Sequence, residues 1–249
     1  MNLTTQNALV TIALLVATQC LTRGQGTFQN LGFESASLVP IPGDLYGRVQ
    51  FAAAFPGWTG AVGSVQQTAA LYNSAFLDSS GISIIDQGWP ALLGNAGVIS
   101  GNFTAILQAG LGLSSGIPAN TAISQTALVP AAAQSLLFEA CAPGYLSPLL
   151  PLLVTLNGQR LAFTPLGSGS NYTLYGADIH TLAGQSAELG FTVPAQNPHV
   201  QQNYVFLDAI QFSSQAIPEP RPLGLATLGA LLLGRRGLRW LYRGELGPE

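Results

Sequence analysis

The sequence predicts an all-β protein built as a single antiparallel β-sandwich, and three observations carry that reading. Of 249 residues, 48% are hydrophobic and only 8% charged. An ordinary soluble domain carries roughly a quarter charged residues, so this chain must collapse onto a core rather than stay disordered. It holds 11 Phe, 7 Tyr and 3 Trp beside 29 Gly and 16 Pro, a mixture that suits short strands and tight turns better than a helical bundle. Between Thr27 and Ser214, short apolar runs alternate with Gly, Pro and Asn, and no long helical period survives.

The strand candidates follow in chain order. Phe28 to Phe33, Ile82 to Ile85, Phe103 to Gln108, Ile123 to Leu128 and Gln134 to Glu139 are short apolar or alternating runs bounded by turn residues. Leu152 to Phe163 reads as a hairpin, with Asn157-Gly158 as its two-residue turn. That register pairs Leu156 with Gln159, Val154 with Leu161 and Leu152 with Phe163, which gives one nearly apolar face. Ser186 to Val193 turns Ala187, Leu189, Phe191 and Val193 inward. Tyr204 to Phe212 is apolar on both faces, as a central strand is. Ala131-Ala132-Ala133 and the run from Pro143 to Pro151 resemble helix in composition, but Pro130, Pro148 and Pro151 argue for loops or edge strands. About nine short strands without intervening helices imply two packed sheets.

Charge is unevenly placed, and the chain has no Lys. From Thr27 to Ala216 the acids are Glu34, Asp44, Asp78, Asp86, Glu139, Asp178, Glu188 and Asp208, against Arg48 and Arg160, so the body is six charges negative. Two Arg cannot neutralise enough phosphates to hold a duplex, so nucleic acid is excluded as a partner. The two cysteines, Cys20 and Cys141, do not make a disulfide framework.

Both ends read as something other than fold. Ala8 to Ala17 is a ten-residue apolar run, too short to span a bilayer stably but the right length for the core of a secretory signal peptide. Residues 1–26 are therefore expected to be a leader ending at the small-x-small site Gly24-Gln25-Gly26; the alternative is a buried N-terminal segment. That leaves 27–215 as the body and 216–249 as a tail. The tail runs Pro218-Glu219-Pro220, then an apolar stretch from Leu223 to Gly234, then Arg235, Arg236 and Arg239.

This order resembles the PEP-CTERM sorting signal of Gram-negative bacteria. The resemblance implies retention at the inner membrane, cleavage near the motif by a membrane-embedded exosortase, and release of the body outward. Two Pro stiffen an extended recognition segment, apolar residues enter the bilayer, and Arg stays cytoplasmic. The twelve apolar residues reach only about 18 Å as a helix, against a hydrocarbon core of about 30 Å, so the insertion is expected to be transient. Trp240, Leu241 and Tyr242 extend it as an interfacial anchor. The alternative is an ordinary apolar helix ending the domain.

A second resemblance lies in the body. Leu31-Gly32-Phe33-Glu34, Phe55-Pro56-Gly57-Trp58 and the terminal run from Val205 to Phe212 resemble the opening, middle and closing segments of jelly-roll carbohydrate-binding-type domains. The resemblance implies a jelly-roll-like sandwich. It also implies a structural Ca²⁺ held by the opening Glu34 and closing Asp208, and aromatic side chains that stack on sugar rings.

Candidate chemistry is sparse. His180 and His199 have no metal-ligand spacing, and there is no C-x-x-C, G-x-S-x-G or phosphate-binding Gly loop. Asp78 and Asp86 are the nearest carboxylate pair in sequence and read as solvated loop. Strict alternation along the last strand puts Asp208 on one face with Tyr204, Phe206, Ile210 and Phe212. A carboxylate buried there needs a partner, and with so few bases that partner is Ca²⁺ or backbone N–H groups. Trp58 and Trp89 are the candidate sugar-stacking residues, with core packing as the competing role for each. Asn102-Phe103-Thr104 and Asn171-Tyr172-Thr173 match a glycan-acceptor pattern of low specificity.

These readings converge on an exported, exosortase-processed cell-surface or extracellular-matrix protein of a Gram-negative bacterium. It is expected to be non-enzymatic, with polysaccharide as its ligand. The alternatives are a purely structural surface or biofilm protein without a specific ligand and, third, a polysaccharide-active enzyme.

Overall fold

The computed structural model describes residues 25–75, 78–90, 97–113, 115–142, 151–195 and 203–217. The leader up to Gly24, Pro218-Glu219-Pro220 and the Arg cluster lie outside the described residues. The chain divides into one compact unit ending at Ala216 and a second from Ile217 to Glu249. Among the described residues no helix is long and apolar enough to cross a membrane.

The first unit is a two-sheet β-sandwich. Its strands are β1 (Val49–Gln50), β2 (Thr59–Val62), β3 (Val65–Gln66), β4 (Ala69–Tyr72), β5 (Gly81–Ile85), β6 (Thr104–Leu111), β7 (Pro118–Ala119) and β8 (Thr121–Leu128). They continue with β9 (Ser135–Cys141), β10 (Leu153–Leu156), β11 (Gln159–Arg160), β12 (Phe163–Ser168), β13 (Thr173–Asp178), β14 (Ser186–Val193) and β15 (Asn203–Ser213). The larger sheet runs β1-β4-β5-β6-β15-β9-β13-β12, with β7 beside β6; the smaller runs β11-β10-β14-β8-β2-β3. Neighbours far apart in sequence, such as β6 beside β15 and β2 beside β8, give the jelly-roll-like weave. The pairing is antiparallel throughout the described strands except for the parallel contact of β4 with β5.

Most expected strands are present, and three details differ. Phe28 to Phe33 is a chain of turns instead of a strand: Asn30 and Phe33 have φ of 50° and 59°, and the Phe33 N–H donates to Asn30 O. The hairpin turns at Asn157-Gly158 with Leu156 opposite Gln159, and the Leu161 N–H donates to Val154 O. It does not continue to Leu152 and Phe163. After Leu161 the chain changes sheets, and Phe163 pairs with Ala177. The reason is burial: Leu161 closes the core from the small sheet, while Phe163 packs edge-on to Phe138 of the large one, centroids 5.3 Å apart.

The third difference concerns the last strand. Val205 and Leu207 face the sandwich core, and so do Ile210 and Phe212. Four residues of odd and even number share a face only because pairing with β9 shifts between Asp208 and Gln211, where Ala209 has a φ of 45°. This bulge flips the alternation. Asp208 therefore keeps the outward face of Tyr204 and Phe206 and is separated from Ile210 and Phe212, contrary to strict period-two reading.

Aromatic rings bridge the two layers. Phe191 of β14 meets Phe138 of β9 at 5.6 Å and Trp58 at 6.3 Å, and Trp58 lies 5.9 Å from Phe33. These edge and tilted contacts are the favoured geometries of buried rings. Gly60 on β2 leaves no room for a side chain: a Cβ there would stand 2.4 Å from the Phe51 ring.

Candidate ligand and metal site

The opening turn and the last strand meet at one place. The Ile210 N–H donates to Leu31 O, which brings Glu34 and Asp208 to the same segment, residues 98–104. Glu34 Oε1 accepts from the backbone N–H of Asn102 at 2.8 Å and Phe103 at 3.0 Å, and its Oε2 accepts from Asn102 Nδ2 at 2.8 Å. Asp208 Oδ2 accepts from the Thr104 hydroxyl at 2.5 Å and the Ser100 N–H at 3.1 Å. Its Oδ1 accepts from the Ala209 N–H at 2.7 Å. Gly101 is required here, since its φ is +64° and a Cβ would fall 2.4 Å from Glu34 Oε1.

Asp208 is 1% exposed. Burial pushes its carboxyl up to about 7 from an ordinary 3.8, the neighbouring Glu34 charge adds to the rise, and the Thr104, Ala209 and Ser100 donors oppose it. The six donors to this pair among the described residues are five amide N–H groups and one hydroxyl, none of them cationic. Two acids of like charge are thus held together with their repulsion uncompensated. Carboxylate oxygens whose partners include no cationic side chain are of the class Ca²⁺ takes, along with hydroxyl and carbonyl oxygens. Glu34 and Asp208, with Thr104 Oγ1, are the residues that would hold it. Among the described residues no group of three or more His, Cys, Asp or Glu gathers at one point, so carbonyls or water would complete such a shell.

Beside this site the outer face of the larger sheet carries a second apolar cluster. Ile85, Ile106 and Phe206 are buried there, with Trp89, Ile99, Cys141 and Tyr204 packed against them. Trp89 stands edge-on to Phe206 with centroids 6.1 Å apart, and Tyr204 is tilted at 6.0 Å. The outer face of a two-layer sandwich normally meets water and is polar, whereas here Ile85, Ile106 and Phe206 are buried beneath half-buried Trp89 and Tyr204. Glu139 lies directly opposite Asp208 on the neighbouring strand. Burial raises its carboxyl, and a hydrogen bond from Tyr172 opposes the rise. Among the described residues, Glu139 Oε2, Trp89 Nε1 and Asn203 Nδ2 are buried with no hydrogen-bond partner. Burial pushes the Cys141 thiol up to about 12, which leaves it protonated and unreactive.

The other sequence candidates fall elsewhere. Trp58 is 5% exposed, and its indole N–H donates to Asn30 O at 3.1 Å. It is a core residue, which corrects its candidacy for sugar stacking. Asp86 accepts from Tyr72 OH and Asn73 Nδ2, both at 2.6 Å, while Asp78 O accepts from Leu111 N at the other end of β5, so the two do not share a cleft. His180 pairs with Asp178 at 2.7 Å on the surface. Both Asn-x-Thr segments serve the site structurally: Asn102 holds Glu34, and Asn171 Nδ2 donates to Val98 O at 3.0 Å. Sequence reasoning missed Ser100, Thr104 and Glu139. The signal for Thr104 was present in the Asn102-Phe103-Thr104 run but pointed to a different chemistry.

No family model matches this chain, and no curated protein does. Among solved structures it is similar to a Stig cyclase from Fischerella sp. TAU, in complex with (3Z)-3-(1-methyl-2-pyrrolidinylidene)-3H-indole, at 16% identity and a TM-score of 0.46 over 75% of this chain and 94% of that one. An apo-form cyclase from Fischerella sp. is similar at 14% identity and a TM-score of 0.45, over 75% and 93% of the two chains. The enzymatically active domain of bacteriophage CBA120 tailspike protein 4 follows at 12% identity and 0.34, covering 64% of this chain and 19% of that one. The expectation of a non-enzymatic body is corrected here. Both cyclases are enzymes, and that expectation is not carried further.

Proposed function

We propose that the protein is exported and sorted to the cell surface or extracellular matrix of a Gram-negative bacterium, and that its β-sandwich binds polysaccharide on the outer face of the larger sheet. The order Pro218-Glu219-Pro220, apolar stretch, Arg235-Arg236 and Arg239 supports export through transient insertion in the inner membrane and cleavage by an exosortase-type protease. The observation that carries the binding reading is the half-buried pair Trp89 and Tyr204, packed over buried Phe206 on a face that otherwise would be polar. Flat rings stack on the apolar faces of sugars, and modest single-site affinity is multiplied along a polymer. Ca²⁺ held by Glu34 and Asp208 would tie the opening turn and the last strand to residues 98–104 and so set the position of Ile99 over the aromatic group.

Two measurements test this reading. Intact mass of the protein recovered from the cell surface is expected to correspond to a body starting near Thr27 and ending near Pro218; full-length chain confined to the cytosol overturns export. In gels cast with soluble polysaccharide, the protein is expected to be retarded and Trp89→Ala to lose most of that retardation, roughly 1–3 kcal/mol by analogy with other aromatic stacking contacts. Unretarded migration in every polysaccharide replaces the binding reading with the purely structural one.

A further inference from the structure

Resting on the polysaccharide reading, we infer that the glycan recognised at Trp89 carries free amines, so that one ammonium group pairs with Glu139 while its sugar ring stacks on the aromatic group. Among the described residues, this part of the outer face offers acids and rings but no base. Asp208 and Glu139 stand opposite each other on β15 and β9, and Cys141, on the same face as Glu139, stands opposite Phe206, against which Trp89 packs. Successive outward positions on a strand are about 7 Å apart and neighbouring strands about 4.8 Å. The acid and the indole thus lie within the span of a disaccharide.

The polar atoms support a basic ligand. Asp208 already accepts from Thr104, Ser100 and Ala209, whereas Glu139 Oε2 is buried without a partner among the described residues. An acceptor in that state costs free energy until a donor reaches it, and a charged donor recovers most. An ammonium beside aromatic faces also gains from the ring quadrupole. A carboxylated or sulfated polymer would instead place a second negative charge beside the Glu139 carboxylate. The unpartnered Trp89 Nε1 and Asn203 Nδ2 are donors suited to the hydroxyls that every sugar carries, so they add affinity without choosing among polymers.

The test compares glucosamine oligomers, their N-acetylated counterparts and neutral glucose oligomers in calorimetric titrations of the full-length chain. Glucosamine oligomers are expected to bind at least tenfold more tightly than the acetylated ones, and Glu139→Gln to remove that preference. Because the body is acidic overall, Glu188→Gln, an exposed acid on the opposite sheet, serves as the charge control and is expected to bind as wild type. Trp89→Ala is a second variant, expected to weaken all oligomers that bind. Equal binding of amine and acetylated oligomers, or equal losses in Glu139→Gln and Glu188→Gln, overturns the amine preference and leaves the polysaccharide reading standing. If none of the oligomers binds, the amine preference falls, and gel retardation decides the polysaccharide reading.

Discussion

Stripped of divalent cations, the protein is expected to melt about 6–10 °C lower at pH 8 than at pH 5, and added Ca²⁺ is expected to recover that loss at pH 8. The sign follows from Asp208. Its carboxyl is held at about 7 in the fold against an ordinary 3.8, so between those values the folded state keeps a proton that the unfolded chain has released. The resulting stabilisation is complete below the unfolded value and is gone once pH has risen through about 7. Two pH units inside that window correspond to about 3 kcal/mol, and a domain of this size loses about 2–4 °C per kcal/mol. Glu139, also raised, acts in the same direction. Asp44, Asp86 and Asp178, all lowered, act in the opposite direction but below pH 4, outside the comparison.

A bound dication reverses the Asp208 effect, because it favours the ionised carboxylate and binds only the folded site. Asp208→Asn is expected to flatten most of the pH dependence and to remove the response to Ca²⁺. Scanning calorimetry with and without chelator at the two pH values decides it. A response to Ca²⁺ that survives in Asp208→Asn places the ion elsewhere, and equal melting at pH 5 and pH 8 without cations would contradict the buried environment itself.

Trp58→Ala is expected to cost about 3–5 kcal/mol, the usual loss for removing a large buried ring, and to leave Asn30 O without its indole donor. Trp58 joins Phe33 of the opening turn to Phe191 of the small sheet, so the loss is felt where the layers meet. A lower urea midpoint with polysaccharide retardation intact below the transition is the expected pair of results. Trp89→Ala should show the converse: a small change in midpoint and loss of retardation. If Trp58→Ala keeps the wild-type midpoint but loses retardation, the assignments of the two tryptophans must be exchanged.

Much of the architecture follows from the sequence because it depends on local pattern. Alternation in Ser186 to Val193 and the Asn157-Gly158 turn predict β14 and the β10–β11 hairpin correctly, since side-chain period and turn chemistry are properties of neighbouring residues. Composition likewise excludes a helical bundle. Asp208 is legible as a buried acid because it lies in an apolar strand with few bases to pair with it, whereas Glu34 is legible only through the resemblance of its segment to a jelly-roll opening.

What only the tertiary structure decided is non-local. The turns of Phe28 to Phe33 look like a strand in sequence, and their left-handed residues are stabilised by contacts to Trp58 and Ile210, distant in the chain. The bulge at Asp208 to Gln211 is set by pairing with β9, and it alone decides that Asp208 faces outward while Ile210 and Phe212 face the core. The chain changes sheets at Phe163, whose half-buried ring packs edge-on to Phe138, a contact distant in sequence. Trp58 and Trp89 each sit next to apolar and Pro or Gly residues, yet one fills the core and the other borders an outward acid. A residue's neighbours fix its local conformation, but which side of a sheet it faces, and what it meets there, depends on strands brought together from the whole length of the chain.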